Sequence, residues 1–290
     1  MVSKKLCLGS ANFGERYGLN NKSSIEKKDL DKIFKFLKSK KYIFIDTAIN
    51  YKNSEKIIGE YSDKKFRIIS KLPKIPKEIL DINNWILQEV KRSCERLKVK
   101  KLYGLLIHDT NDLRNKKKSK KIYQALNNLQ NKNIVGKVGL SIYNPKELNL
   151  FINDYDFKIV QSPLNIFDRR IIDSGWLKKL KKKGIEFHAR SIFLQGLLVR
   201  DIDKIDKFFE PFKKRFIKFE NWTKKIKISK VEACLRFVNS INGVDKIIIG
   251  NNSEKQFINN YSMFKKPKLY APNILKIRYG KILNPKFWKI

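Results

Sequence analysis

The chain alternates short apolar runs with longer stretches in which apolar positions recur at helical spacing. Eight short runs stand out: Leu6–Gly9, Ile43–Asp46, Arg67–Lys71, Tyr103–His108, Lys137–Ser141, Ile159–Gln161, Ile185–His188 and Lys246–Gly250. Each is bounded by polar or turn residues, the pattern of a strand buried on both faces of a parallel sheet. Between them lie amphipathic segments at Ser24–Ser39, Ser54–Tyr61, Asn84–Leu97, Lys117–Asn131, Pro145–Asn153, Gly175–Lys183 and Lys230–Asn239. Several open with helix-start chemistry, such as Asn53-Ser54 with Glu55, or Pro145 after Asn144. Eight such alternations predict an α/β chain whose parallel sheet closes into a (β/α)8 TIM barrel, a single domain over 1–290. An open doubly wound sheet is the alternative. The stretch Gly9-Ser10-Ala11-Asn12-Phe13-Gly14 leads into no convincing helix, so a dinucleotide-binding fingerprint is absent there. A longer polar and aromatic segment, Arg200 to Ser229, predicts a helix and a loop near the barrel rim. The tail Lys266–Ile290, with Pro267, Pro272 and Pro285, is expected to pack on the barrel or shape the substrate mouth.

Composition narrows the classes. The hydrophobic fraction of 42% in 290 residues suits a packed core and argues against disorder. No apolar run approaches the roughly 18 residues of a membrane helix. Met1 to Asn12 lack a basic region, apolar segment and cleavage site in sequence, so the expected location is cytoplasmic. Cys7, Cys94 and Cys234 are odd in number, far apart and without metal-type spacing, which reads as reduced thiols and no metal site. The formal charge of +37 raises the question of nucleic acid. The excess is mostly lysine spread along the whole chain, and its densest runs, Lys116–Lys121 and Lys178–Lys183, fall in predicted helices. These are solvated faces, no nucleic-acid module is expected, and the positive field instead favours anionic small molecules.

Barrels of this kind work at the C-terminal ends of their strands. There the second predicted strand ends in Asp46, the third in Lys71 and the fourth in His108, and the loop after the second carries Tyr51. This set suits carbonyl reduction. A hydride attacking a carbonyl carbon leaves an oxygen that needs a proton; tyrosine can supply it, although its ordinary pKa of about 10 is high. A neighbouring Lys71 ammonium is expected to lower that value, Asp46 to hold the lysine, and His108 to orient the carbonyl oxygen. Taken singly, each residue is as easily a cap, a solvated lysine or a packed ring; the four together at successive strand ends carry the reading.

Here the sequence resembles the aldo-keto reductase family. The run Ile45-Asp46-Thr47-Ala48-Ile49-Asn50-Tyr51-Lys52-Asn53-Ser54-Glu55, with Gly59, is similar to the family's most specific signature. Ile68-Ile69-Ser70-Lys71 and Leu105-Leu106-Ile107-His108-Asp109 resemble its strand-three and strand-four motifs. The resemblance implies a (β/α)8 barrel, an extended NADP(H), less often NAD(H), and a catalytic set of Asp46, Tyr51, Lys71 and His108 with Tyr51 as general acid. It also implies that Ser141 and Gln161 meet the nicotinamide carboxamide, Gln161 and Asn165 matching the family's strand-six Gln…Asn motif. Ile142 stands where many members have an asparagine. Arg190 stands where many have an aromatic residue that stacks on the nicotinamide; an arginine plane can stack, or its charge can meet a pyrophosphate or an anionic substrate. Ile247-Ile248-Ile249-Gly250-Asn251-Asn252-Ser253-Glu254-Lys255-Gln256, with Asn260, resembles the family's cofactor motif, and a strand end followed by a helix start favours phosphate. Ser253 and Lys255 are expected at a 2′-phosphate, which favours NADPH, and Gln256 and Asn260 near adenine; a plain helix cap at Ser253 is the alternative. The opening Leu8–Gly18 and the Arg190–Leu198 segment resemble bacterial members that accompany nucleotide-sugar and surface-polysaccharide genes, which implies a sugar-like carbonyl substrate, with Arg16 and Arg190 suited to an anion. A cofactor-binding regulatory barrel with little turnover, like the potassium-channel β-subunits, is the competing function. Oligomeric state is not written in the sequence.

Overall fold

The computed structural model describes residues 4–15, 18–19, 24–39 and 43–288; Arg16 lies outside them. Eight parallel strands close into one barrel in sequence order: β1 (Leu6–Gly9), β2 (Ile43–Asp46), β3 (Phe66–Leu72), β4 (Leu102–Ile107), β5 (Val135–Ser141), β6 (Ile159–Pro163), β7 (Glu186–Arg190) and β8 (Lys246–Ile249). Closure is made by β8 against β1, with Cys7 opposite Ile248, so the open doubly wound alternative is ruled out. The protein is a single-domain (β/α)8 TIM barrel.

Strand side chains alternate in direction, and the two sets bury differently. One set, Cys7, Ile69, Leu106 and Ile159 with Phe44, Tyr103 and Ile248, fills the barrel interior. The other, including Ile45, Ile68, Leu105, Val138, Val160 and Phe187, faces outward into a continuous layer beneath the helices. That layer is completed by the apolar stripes of α1 (Lys27–Lys38: Leu30, Ile33, Phe34, Leu37), α3 (Ile82–Leu97: Ile86, Val90, Leu97) and α4 (Lys116–Asn131: Ile122, Leu126, Leu129). The lysine runs sit on the opposite, solvated faces, so high charge and a full core coexist. Between α1 and α3, α2 (Ser54–Glu60) approaches its neighbour through Gly59, where a Cβ would stand 2.1 Å from the Arg96 carbonyl oxygen.

The lower end of the barrel is plugged by polar groups. Glu186 accepts from Tyr103, Lys137 and His188, and these bonds outweigh the upward push of burial, leaving its carboxyl at about 2.

The second half carries α5 (Lys146–Phe151), α6 (Arg170–Asp173), α7 (Trp176–Lys182), α8 (Lys213–Lys225), α9 (Lys230–Ser240) and α10 (Glu254–Met263). The expected helix in the 200–229 segment is α8, preceded by short 3-10 turns and seated through Phe216 and Phe219 on the Phe167 ring, at 5.1 and 5.9 Å. The tail crosses this face. Arg169, stacked 4.7 Å from the Phe237 ring centre, donates to the carbonyls of Ala271 and Pro272, and Ile277 N–H donates to the Phe167 carbonyl at 2.8 Å. Ile282 and Leu283 are buried, and the Trp288 ring lies 4.9 Å from Phe209.

Candidate active site

At the upper end of the barrel, the loop leaving β2 keeps pairing with β3: Thr47 N–H donates to the Ile69 carbonyl and Ile49 N–H to the Lys71 carbonyl. A chain of buried hydroxyls pins it from the other side. Thr47 Oγ1 lies 3.0 Å from Ser54 Oγ, which donates to Ser10 Oγ at 2.7 Å, and Ser10 donates to the Asp46 carbonyl. The Thr and Ser of the sequence signature therefore fix the turn that presents Tyr51.

Lys71, buried on β3, donates through Nζ to Asp46 Oδ2 at 2.6 Å and to the Thr47 carbonyl at 2.7 Å. The other Asp46 oxygen accepts from Gln161 Nε2 at 2.7 Å. Side chains of β2, β3 and β6 are thus joined across the barrel mouth. Lys71 Nζ lies 5.1 Å from the centre of the Tyr51 ring, and the His108 ring lies 6.0 Å from it in an edge-on arrangement. His108 is placed by its own N–H, which continues the β4 ladder to the Leu72 carbonyl.

The electrostatics differ in one respect from expectation. Burial, then the Asp46 carboxylate, pushes the Tyr51 phenol well above its ordinary pKa, and the opposing cation is Arg190, not Lys71. Burial holds His108 down at about 3, helped by Lys71, Arg190 and Lys286, so its imidazole is neutral across the physiological range. A buried phenol that keeps its proton beside a neutral imidazole can hand a proton to an oxygen placed between them.

These groups line one open cleft at the barrel mouth. Asp46, Tyr51, Lys71, His108, Ser141, Gln161, Arg190, Gly250 and Gln256 all stand on its wall. Ser253, Lys255 and Asn260 do not. Ser253 is the N-cap of α10, its Oγ accepting from Gln256 N–H, while Gln256 Oε1 accepts from Asn252 N–H. Asn260 is buried beneath the cleft and donates to Asn251 Oδ1 at 2.8 Å. Ile142, in the position of the family's asparagine, is fully buried in the core. Arg190 lays its guanidinium over the Tyr143 ring at 4.2 Å and donates to the Ile142 carbonyl at 3.0 Å.

Asn12 and Tyr143 are among the wall residues that the sequence did not single out. Asn12, in the loop after β1, donates to the Asn251 carbonyl and to Asn252 Oδ1, joining the β1 and β8 loops. Its position at a strand's C-terminal end was the available signal. Tyr143 had none beyond following Ser141. The loop after β7 also enters the wall, with Ser191, Leu194 and Gln195 in the left-handed region (φ 55°, 48° and 54°), a conformation held only by surrounding contacts.

The chain belongs to the aldo/keto reductase family, whose profile matches residues 5–278. Among solved structures, it is similar to the aldo-keto reductase AKR11C1 from Bacillus halodurans in its holo form (15% identity, 91% of this chain and 88% of that one, TM-score 0.72). It is also similar to the glycerol dehydrogenase AKR11B4 from Gluconobacter oxydans (20% identity, 91% and 87%, TM-score 0.69). These likenesses concern the fold. No match was found among curated protein sequences. Family membership makes the protein an oxidoreductase acting on carbonyl groups with a nicotinamide cofactor and a small-molecule substrate. Among the described residues, no helix is long and apolar enough to cross a membrane.

Proposed function

We propose that the protein is an NADP(H)-dependent reductase of a sugar-like aldehyde or ketone, with Tyr51 as its proton donor. The observation that carries this reading is the buried Lys71–Asp46 pair beneath Tyr51, with neutral His108 on the same rim. When bound, the reduced nicotinamide supplies a hydride. The chain's own residues do the rest. His108 donates a hydrogen bond that orients the carbonyl oxygen. Tyr51 gives that oxygen its phenolic proton and regains one from solvent. Arg190 is the cation whose field opposes the charge left on the ring, and Asp46, clamped by Lys71 and Gln161, fixes the rim beneath it. The product is the alcohol, one carbon–hydrogen and one oxygen–hydrogen bond richer than the carbonyl.

The cleft wall fits the cofactor. Gln161 Oε1 is buried with no partner, an acceptor suited to a carboxamide N–H, with Ser141 beside it in register. At the other end, Gly250 stands on the cleft wall near the start of α10, whose dipole favours phosphate, while Asn252, Glu254 and Gln256 N–H are held by Gln256 Oε1, Asp29 Oδ1 and Ser253 Oγ. Gln256 would meet the adenosine end, and Lys255, with the capping Ser253, stands near enough in sequence to favour a 2′-phosphate, which is the ground for NADPH over NADH. Asn260 would act from below, through Asn251. Three free cysteines accord with work in the reducing cytoplasm.

The test is NADPH oxidation with a panel of aldehydes and sugar aldehydes, for the wild type and Tyr51→Phe. Turnover in the wild type and its loss in the variant support the reading; equal turnover would sink it. Tight NADPH binding without turnover of any carbonyl would point to a regulatory barrel instead. Fluorescence titration with NADPH and NADH measures the cofactor preference.

A further inference from the structure

Two cations reach one aromatic ring from separate parts of the chain. Arg190, the last residue of β7, lies 4.2 Å from the centre of the Tyr143 ring. Lys286, from the tail, brings its ammonium to 4.9 Å from the same centre. The tail is fastened there. Arg170 Nη2 donates both to the Tyr143 carbonyl and to the Leu283 carbonyl, and Trp288 Nε1 donates to the Ile282 carbonyl. The ring and Arg190 stand on the wall of the cleft that holds Tyr51 and His108.

The charges around this ring are not balanced. Asp46 is the one carboxylate on the described cleft wall, and both its oxygens are taken by Lys71 and Gln161. Glu15, whose charge reaches Tyr51, is paired with Lys52 at 3.0 Å. No described carboxylate lies within ion-pair distance of Arg190 or Lys286, and Arg190 Nε is buried without a partner. The fields of both cations reach His108. Leaving a guanidinium donor buried and unmatched is costly, and a ligand that brings an acceptor relieves the cost. The substrate's carbonyl oxygen cannot serve, because Tyr51 and His108 claim it. One face of the guanidinium is already covered by Tyr143, so of the uses open to Arg190, stacking on the nicotinamide is the less suited.

We propose that the substrate carries an oxyanion, a carboxylate or a phosphate monoester, within a few atoms of its carbonyl, and that Arg190 and Lys286 hold it against the edge of Tyr143. The arginine fork suits either oxyanion, and the lysine adds a mobile point charge. This inference rests on the reductase reading and names its substrate class.

The test compares kcat/KM with NADPH for glyceraldehyde, glyceraldehyde 3-phosphate and succinic semialdehyde, in the wild type, Lys286→Glu and Lys120→Glu. Lys120, exposed on α4 away from the cleft, controls for the general positive field. In the wild type at least one anionic substrate should exceed the neutral one by tenfold or more, chiefly through KM, and the better of the two identifies the oxyanion. Lys286→Glu should cut that ratio by about tenfold, and Arg190→Met should cut it too, while Lys120→Glu leaves it in place. Equal turnover of neutral and anionic aldehydes overturns the inference and leaves the reductase reading standing. So does a Lys120→Glu effect as large as that of Lys286→Glu. Failure to reduce any of the three overturns the reductase reading, and the inference falls with it.

Discussion

At the residue scale, burial rather than charge sets the two titrating groups of the site. Tyr51 keeps its proton because its surroundings exclude water and Asp46 opposes a second negative charge. Tyr51→Phe should therefore lower kcat for reduction by roughly 10²- to 10⁴-fold, the range for loss of a general acid, with little change in NADPH affinity by fluorescence titration. His108 makes a prediction about stability. Its folded-state value of about 3 lies below the ordinary 6.5, so the unfolded chain takes up a proton that the folded chain refuses. The stability it contributes is present above about pH 6.5 and is lost as pH falls towards 3. Thermal melts should show a steeper fall in Tm from pH 6.5 to 4 for the wild type than for His108→Gln, by about 5 °C or more. A variant that melts in parallel with the wild type would show that His108 is not the group responsible.

At the scale of elements, the strands were legible because a parallel barrel strand is apolar on both faces and short, which separates it from an amphipathic helix. All eight predicted runs overlap observed strands. The short α6 was missed, since four residues carry no helical period. The strand-end rule then located Asp46, Lys71 and His108 without coordinates. It could not locate Tyr143 against Arg190, or Lys286 beside both, because nothing local in sequence records where a tail folds back. Nor could it show that Arg190, rather than Lys71, would be the cation acting on Tyr51. One element contact is directly testable. Gly59 on α2 has no room for a methyl group against the Arg96 carbonyl of α3. Gly59→Ala should destabilise the fold by about 1–3 kcal/mol, read as a lower urea midpoint with unchanged slope. An unaltered midpoint would mean that the two helices separate at no cost.

At the scale of the molecule, a net charge of +37 on one barrel is a self-repelling arrangement. The lysines sit mostly on solvated helix faces, where salt screens them efficiently. Raising ionic strength from about 0.01 to 0.15 M, over which the Debye length falls from about 30 to 8 Å, should raise Tm. A Tm that stays level or falls over that range would mean that short-range ion pairs outweigh the global repulsion.

The Asp46 clamp has a consequence for how the protein comes into being. Its three members sit on strands two, three and six, so they are drawn from both halves of the polypeptide. A nascent chain released after its first four strands possesses the aspartate and the lysine but lacks the glutamine that completes their alignment. Assembly of the clamp therefore waits for the sixth strand, and shorter partially folded forms lack it.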